Sequence, residues 1–299
     1  MIHGVLNVYK EKSFTSHDVV AKLRKITGQK KIGHTGTLDP DAEGVLPVCL
    51  GRATKLCDML TDKDKTYETI LLLGCTTDTQ DISGRVTETR DTGGLCEAEV
   101  REAVEGFIGE YAQVPPMYSA LKVNGKKLYE LAREGKEVER KARTVRIYEI
   151  RILEVCLPRV RMRVRCSKGT YIRTLCFDIG ERLGCGGCME ELIRTQSGRF
   201  VIEDSLRLNE IARMQEDESL MRAVIPVDEM FGEYEKAAAG KKWDALVKNG
   251  NPLPREALSC VDNEDPVRVY DESGQFIAVY RWQKEKKEYH VLKMFYPML

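Results

Sequence analysis

The sequence predicts an α+β fold with a mixed sheet flanked by helices, followed by a small β-rich domain at the C-terminus. Helical and strand patterns are interleaved without the regular βαβ rhythm of a parallel sheet. Residues 160–166 alternate strictly between polar and apolar side chains, as expected of a half-buried strand. Beyond Gly240 the chain has short β-rich runs separated by a turn. The 299 residues allow one large domain, placed at 1–235, and a small one at 236–299.

The first predicted element is a helix. Its pattern starts after Ser16, which we expect to be the N-cap, and ends at Gly28. The apolar positions at helical spacing are Val19, Val20, Leu23 and Ile26. Residues 33–44 are then predicted to form a loop and residues 45–48 a buried strand.

The later elements follow from the same periodicities. Residues 66–74 and 160–166 are predicted strands, and the second of these points Arg161, Arg163 and Arg165 to one face. Helices are predicted near residues 97–108, 127–133, 172–183 and 205–214. The acidic stretch after Asp204 carries few strand signals. In the tail we expect a hairpin of 267–270 and 276–280, turning at 272–274, and a strand at 289–294.

The composition excludes several classes of protein. Apolar residues make up 42% and charged residues 31%, which is typical of a globular protein rather than a disordered or fibrous one. The sequence has no basic leader and no apolar run near the ~18 residues of a membrane span, so we expect a cytoplasmic protein that does not engage membranes. Cys185 and Cys188 form the one close pair among ten cysteines. This pattern favours small buried side chains over disulfides or a zinc site.

The net charge of zero conceals a strong asymmetry along the chain. Residues 122–173 contain sixteen Lys/Arg and six Asp/Glu, whereas residues 201–240 contain four and ten. A local positive excess can attract a phosphate backbone whatever the total charge, because charges act mainly within a Debye length of roughly 10 Å. A solvated surface balanced by the acidic stretch explains the same pattern equally well.

The loop at 33–44 is the strongest candidate for chemistry. Gly33 and Gly36 permit backbone angles closed to other residues, and Pro40 holds Asp39 in an extended conformation. Asp39 is therefore expected to project from a rigid loop. The run from Asp39 to Gly44 also imitates the start of an EF-hand, but position twelve is Leu50 rather than a carboxylate, which disfavours calcium.

The chain resembles the bacterial tRNA pseudouridine-55 synthases, the tRNA pseudouridine synthase B family. The resemblance rests on five ordered blocks that span most of residues 1–200. They are Gly33-His-Thr-Gly-Thr-Leu-Asp-Pro-Asp-Ala-Glu-Gly-Val-Leu-Pro47 with Gly51-Arg-Ala-Thr-Lys55, Lys65-Thr-Tyr67 before Leu73-Gly74, Gln113-Val-Pro-Pro-Met-Tyr-Ser-Ala-Leu-Lys122, Ser167-Lys-Gly-Thr-Tyr-Ile-Arg173, and Leu192-Ile-Arg-Thr195 with Gly198 and Phe200. The resemblance implies a pseudouridine-synthase-like sheet that is mostly antiparallel and, more weakly, a PUA-like C-terminal domain.

The resemblance also implies a reaction: uridine at position 55 in the T-loop of tRNA becomes pseudouridine without a cofactor or metal. Asp39 is then the nucleophile acting on a flipped-out nucleotide. Arg173 pairs with Asp39 and Tyr67 packs on the base. Tyr171 contacts the base and Leu192 lines the pocket. By the same resemblance His34 occupies the space that the uridine leaves or stacks in the RNA. Without the surrounding motifs, the residue types favour a loop hydrogen-bonding residue for His34 and a core aromatic for Tyr67.

Phosphate contacts are expected from basic side chains in the positive region, namely Lys122, Lys126, Lys127, Arg161, Arg163 and Arg165. The expected partner is the T-arm stem-loop of tRNA, bound by a monomer without an obligatory protein partner. Two alternatives stay open: a guide-dependent pseudouridylase within a multi-protein particle, and a non-catalytic RNA-binding or RNA-folding factor.

Overall fold

The computed structural model describes residues 1–123, 125–259 and 265–296. The strands of the first part of the chain are β1 (Gly4–Lys10), β2 (Ile32–His34), β3 (Glu43–Leu50), β4 (Lys65–Leu73), β5 (Cys75–Thr77), β6 (Val86–Thr89), β7 (Gly109–Gln113), β8 (Lys122–Val123), β9 (Lys126–Lys127), β10 (Arg143–Cys156), β11 (Arg159–Cys166), β12 (Gly187–Ser197) and β13 (Phe200–Val201). Those of the last part are β14 (Glu235–Ala239), β15 (Leu253–Pro254), β16 (Leu258–Ser259), β17 (Val267–Tyr270), β18 (Phe276–Gln283) and β19 (Glu288–Met294). The α-helices are α1 (Ser16–Thr27), α2 (Cys57–Thr61), α3 (Glu97–Glu105), α4 (Leu128–Arg133), α5 (Ile172–Arg182), α6 (Leu208–Glu216) and α7 (Asp244–Lys248).

The main sheet is mixed and mostly antiparallel, which confirms the predicted fold class. Across the described residues it runs in the order β1-β3-β12-β4-β11-β10-β7, with β2 beside β3 and β13 beside β12. The pairing of β3 with β12 is parallel, and the other pairs are antiparallel. This parallel contact matters for function because it places the end of the Asp39 loop against the middle of β12.

The strictly alternating strand is confirmed in β11. Its apolar residues are buried and its arginines are exposed, one after another along the strand. The neighbouring strand β4 alternates in the same way, with Tyr67 pointing to the core face and Glu68 to the opposite face. One face of the sheet therefore covers a core that includes α5, and the other carries charge.

Helix α1 was predicted with the right length but the wrong cap. Thr15 is the N-cap, and its hydroxyl accepts from the Asp18 backbone N–H at 3.0 Å. Ser16 instead points inward, where its Oγ accepts from the backbone N–H of Leu38 at 3.0 Å. The predicted loop at 33–44 was wrong at both ends, because Gly33 and His34 belong to β2 and Glu43 and Gly44 belong to β3.

A second sheet occupies the last part of the chain, in the order β15-β19-β18-β17-β14-β16. The hairpin of β17 and β18 and the strand β19 were predicted. Strand β14 was not, since three consecutive alanines give little local strand signal, and its pairing with β16 and β17 stabilises it. Phe231, Phe276 and Phe295 pack together and join this sheet to Val5 and Val45 of the main sheet.

Candidate active site

The loop that carries Asp39 leaves β2 after His34 and enters β3 at Glu43. Gly36, near the start of the loop, and Gly44, just after its end, have φ angles of +90° and +104°, so both positions use a conformation that favours glycine. The Asp39 carbonyl accepts from the Ala42 N–H at 3.1 Å, which closes a turn around Pro40. The loop therefore has a defined shape before any substrate binds.

Buried polar side chains tie this loop to the main sheet and to α1. Lys10, fully buried on β1, donates its Nζ to the carbonyls of Pro40 at 3.0 Å and Ala42 at 2.6 Å. Burial lowers the pKa of Lys10 to about 8, and Glu43 and Asp39 oppose this effect. Ser16 holds the N–H of Leu38 from the helix side. These contacts restrain the backbone on both sides of Asp39.

Arg173 forms the ion pair with Asp39 that the sequence analysis predicted. Its Nε lies 2.9 Å from Asp39 Oδ2, while its Nη1 and Nη2 donate to the carbonyls of Thr79 and Tyr118 at 3.0 and 2.8 Å. The Arg173 side chain is 5% exposed and that of Asp39 is 41% exposed. The guanidinium is thus a fixed internal support, and the carboxylate remains open to a ligand.

The environment of Asp39 raises the pKa of its carboxyl above the ordinary value. Burial against protein is the largest cause; Arg173 and Lys10 oppose it, and the nearby charge of Asp81 adds to it. Asp81 itself lies 3.7 Å from Arg173 Nη1. Arg173 therefore offsets only a part of the cost of holding an anion here.

Tyr67 and Leu192 lie beside the loop, as expected for the walls of a pocket. Both are 8% exposed and pack in one cluster with Leu38, the residue that precedes Asp39. Burial raises the pKa of Tyr67, and the charge of Asp39 also raises it. The tyrosine is therefore neutral near pH 7 and presents a phenol rather than a phenolate.

Tyr171 is placed by a reciprocal pair of hydrogen bonds with Gln113. The Tyr171 N–H donates to Gln113 Oε1 at 2.8 Å, and Gln113 Nε2 donates to the Tyr171 carbonyl at 2.9 Å. Tyr171 is the N-cap of α5, so Arg173 lies in the first turn of that helix. Burial raises the pKa of Tyr171, and the charge of Asp39 adds to this. Asp39, Tyr67, Tyr171, Arg173 and Leu192 are thus brought into one site.

His34 precedes the loop on β2 and is half-buried. Its ring meets that of His17 edge-on, with centroids 5.4 Å apart. Burial lowers the pKa of His34 to about 4, and the charges of His17 and Arg194 add to this effect. Its Nδ1 has no hydrogen-bond partner in the described part of the chain. The imidazole is therefore neutral at pH 7, with a flat face and one unused polar atom.

The predicted basic residues divide into two groups. Lys122, Lys126 and Lys127 lie on the β8–β9 hairpin, close in sequence to Tyr118, whose carbonyl accepts from Arg173. Two of them have neighbours in the protein: Lys126 lies 3.7 Å from Glu134, and Lys127 donates to the Tyr129 hydroxyl at 3.2 Å. This hairpin is therefore linked to the site.

The structure does not bring Arg161, Arg163 and Arg165 to the site. They lie on the sheet face opposite Tyr67, because alternate residues of paired strands point to opposite sides. Arg161 and Arg163 pair with Glu68 at 3.0 and 2.7 Å, and Arg165 lies 3.7 Å from Asp64. The charge count over residues 122–173 does not include these acidic partners, because they come from β4 and the turn before it.

Sequence reasoning missed the roles of Lys10, Asp81 and Gln113. A lone lysine in a polar segment, an aspartate in a turn and a glutamine before two prolines carry no local signal of a site. Their partners are 30 or more residues away in the chain. Gln113 alone offered a hint, since it opens one of the blocks that carry the family resemblance.

Within residues 1–123, 125–259 and 265–296, no group of three or more His, Cys, Asp or Glu side chains is arranged to hold a metal ion. Among those same residues, no helix combines the length and apolar character that crossing a membrane requires.

Comparisons with known proteins agree with this site. The family model described as TruB family pseudouridylate synthase (N terminal domain) matches residues 24–172, and the one described as tRNA pseudouridylate synthase B C-terminal domain matches residues 173–232. Proteins named tRNA pseudouridine synthase B are similar over nearly the whole chain. That of Lachnoclostridium phytofermentans is 53% identical, covering 98% of this chain and 100% of the relative; that of Clostridium novyi is 47% identical, covering 93% and 95%.

Solved structures share the fold. A Cbf5-Nop10-Gar1 complex matches with a TM-score of 0.73 and 29% identity, covering 99% of this chain and 85% of the other. An H/ACA RNP bound to a substrate RNA containing 2'-deoxyuridine matches with a TM-score of 0.72 and 27% identity, covering 99% and 86%. From the family models and the curated relatives together, this chain belongs to the TruB family of pseudouridylate synthases.

Proposed function

We propose that this protein isomerises uridine to pseudouridine in tRNA, at position 55 of the T-loop, with Asp39 as the nucleophile and without a cofactor. The observation that carries the proposal is the Asp39–Arg173 pair, a partly exposed carboxylate on a buried guanidinium, among Tyr67, Tyr171 and Leu192. The high identity to proteins named tRNA pseudouridine synthase B supports tRNA as the substrate.

The reaction needs a carboxylate and a closed pocket. The bond between uracil N1 and the ribose breaks, the base turns, and a bond from C5 to the ribose forms. The proton on C5 leaves and N1 gains one, so that substrate and product are isomers. Asp39 supplies an anionic oxygen that can bond to the substrate and leave again, and Arg173 holds that oxygen in place.

The remaining side chains hold the detached base. Extruding a uridine from an RNA loop costs a few kcal/mol in lost stacking. The Tyr67 ring and Leu192 offer apolar contact to the flipped base, and Tyr171 also contacts the base. His34, neutral and half-buried at the start of the loop, occupies the space that the uridine leaves.

The proposal extends to the way RNA binds. We assign phosphate contacts to Lys122, Lys126 and Lys127, whose hairpin follows closely after Tyr118, the partner of Arg173, and none to the arginine face of β11, which lies on the opposite face of the sheet from Tyr67. Residues 1–235 form the catalytic domain and residues 236–299 a small C-terminal domain. The protein acts as a cytoplasmic monomer on the T-arm alone, without an obligatory protein partner.

The second candidate is a guide-dependent pseudouridylase. The match to an H/ACA RNP and to a Cbf5-Nop10-Gar1 complex favours it, because those are multi-component assemblies. The curated relatives favour the stand-alone enzyme, with 53% and 47% identity against 27% and 29% for the assemblies.

The test uses the purified chain and an unguided T-arm stem-loop labelled with tritium on C5 of uridine. We expect tritium release from the loop uridine and none after that uridine is replaced by cytidine. Asp39→Asn should release no tritium while binding the stem-loop within about tenfold of the wild type. Failure of the wild type to release tritium would remove the stand-alone enzyme. Equal release by wild type and Asp39→Asn would remove the nucleophile.

A further inference from the structure

Arg194 is a buried cation whose role the proposed reaction leaves unexplained. It lies on β12, and its side chain is 1% exposed. Arg173, the other buried arginine near the loop, has Asp39 and Asp81 as acidic partners. Arg194 forms no ion pair within the described residues. A guanidinium held this way is costly to bury, because backbone carbonyls compensate its charge less than carboxylates do.

The hydrogen bonds of Arg194 are directed at the two flanks of the Asp39 loop. Its Nε donates to the Val45 carbonyl at 2.7 Å, and its Nη2 donates to the Gly36 carbonyl at 3.2 Å. Gly36 precedes Asp39 by three residues, and Val45 follows it by six. The planar guanidinium therefore bridges the start and the end of the loop.

The backbone of Arg194 contacts the same loop. Strand β12 runs parallel to β3 here, with Arg194 opposite Gly44. A Cβ added to Gly44 would lie 2.2 Å from the Arg194 carbonyl oxygen, so the two backbones are in close contact. Lys10 and Ser16 hold the middle of the loop, and Arg194 holds its two ends together.

Arg194 also reaches the second wall of the pocket. It is the cross-strand neighbour of Tyr67 in the β4–β12 pairing. Directly opposite residues of paired strands point to the same face, so the buried Arg194 side chain lies beside Tyr67, and its charge opposes the rise in the pKa of Tyr67 that burial causes. Arg194 thus holds the loop that carries the carboxylate and adjoins the residue expected to pack on the base.

We propose that Arg194 is a positioning residue for the isomerisation, fixing the distance between the Asp39 carboxylate and the Tyr67 ring by tying both loop flanks to β12 at the position opposite Tyr67. Arg194 touches neither the base nor the reacting atoms. The inference rests on the proposed function, because the distance matters only if both groups act on one nucleotide. A displacement of about 1 Å in such a site can cost on the order of 100-fold in rate.

The test compares Arg194→Met and Arg194→Lys with a matched control, Arg268→Met. Arg268 is also a buried arginine that donates to backbone carbonyls, those of Tyr234 at 2.8 Å and Asp228 at 3.5 Å, but it lies in the second sheet. Tritium release from the stem-loop gives kcat and KM, and hydrogen exchange reports the mobility of residues 35–45. We expect kcat to fall about 100-fold in Arg194→Met, with KM within about threefold, and exchange of residues 35–45 to quicken.

The lysine variant separates charge from geometry. Lysine keeps the positive charge but offers a single donor group, so Arg194→Lys should lose at least about tenfold in kcat and show the same faster exchange. Combining Arg194→Met with Tyr67→Phe should cost less than the product of the two single effects.

Three results would overturn the inference. The first is a wild-type kcat in both Arg194 variants. The second is a fall in kcat with no change in the exchange of residues 35–45. The third is an equal fall in Arg268→Met, which would indicate a general loss of folding. Should Arg194→Met fail to fold, Arg194→Lys carries the same comparison. A wild-type protein without tritium release would count against the proposed function instead.

Discussion

Replacing Arg173 by methionine tests whether its guanidinium stabilises the anionic form of Asp39. In the native protein the guanidinium donates to the Asp39 carboxylate and to the carbonyls of Thr79 and Tyr118 while being 5% exposed. Methionine fills much of the same volume without donors or charge. The variant therefore keeps much of the packing and removes the group that holds the carboxylate and stabilises its anion.

The expected loss follows from that hydrogen bond and from the pKa of Asp39. A hydrogen bond to a charged partner contributes about 1.5–3 kcal/mol, which corresponds to roughly 10- to 150-fold in rate. Burial and Asp81 raise the pKa of Asp39, and Arg173 lowers it, so the pKa rises further in the variant. Only the anion is a nucleophile, so activity is present above this pKa and is lost as the pH falls through it. The acid limb of kcat/KM therefore moves to higher pH.

The assay is tritium release from the stem-loop across about pH 5 to 9, with kcat/KM fitted at each pH. Arg173→Lys keeps the charge, but its single nitrogen cannot reach the three acceptors that Nε, Nη1 and Nη2 of the guanidinium reach, so we expect its turnover to fall with a smaller displacement of the acid limb. Arg159→Met serves as the control, since Arg159 is 54% exposed and pairs with Glu190 at the sheet surface. An Arg173→Met profile with the wild-type acid limb and kcat/KM within twofold would refute the reasoning.

Three further predictions concern stability and are measured by thermal unfolding. Asp39→Asn should be more stable than the wild type at neutral pH, because a carboxyl whose pKa is raised on folding destabilises the fold once the pH exceeds its ordinary value. Burial lowers the pKa of Lys10 from its ordinary value of 10.5 to about 8, so the unfolded chain binds that proton more tightly than the folded one. As the pH rises from about 8 to 10.5, the stability of the wild type relative to Lys10→Met should therefore rise. Gly44→Ala should lose about 2–4 kcal/mol, since φ is +104° and its Cβ would meet the Arg194 carbonyl oxygen at 2.2 Å.

Each of these predictions has a contrary outcome. A lower melting temperature for Asp39→Asn near pH 7 would mean that the Arg173 pair more than offsets the burial of the carboxylate. A flat difference between wild type and Lys10→Met from about pH 8 to 10.5 would mean that Lys10 is not desolvated in solution. For Gly44→Ala the control is Gly94→Ala, whose added Cβ has no atom within 4 Å and should leave stability unchanged.

The local parts of the fold were the predictable ones. Polar and apolar side chains alternate along β11 because one face of the strand packs on the core, and this alternation is visible in the sequence itself. The hairpin of β17 and β18 has a turn-forming Gly274 between two apolar runs. Strand β14 was missed because its three alanines are stabilised by neighbours on both sides rather than by their own propensity.

The arginine face of β11 illustrates the limit of charge counting. The positive excess of residues 122–173 is a property of that segment alone, whereas the acidic partners Glu68 and Asp64 come from β4 and the turn before it. Charges from separate parts of a chain neutralise one another only after the sheet has formed. The lysines of the β8–β9 hairpin stay candidates for RNA contact because their position, rather than their number, links them to the pocket.

The sequence by itself indicated the loop of Asp39 as the candidate for chemistry, since its glycines and Pro40 act through local backbone geometry. It also identified Tyr67, Tyr171, Arg173 and Leu192 through the resemblance to a family. The tertiary structure alone decided how that loop is held. Nothing in the local sequence marks Lys10 or Arg194 as buried, and only the folded sheet encloses them and directs their donors at the loop carbonyls. Burial is a property of the whole fold, so no local pattern encodes which charge is enclosed.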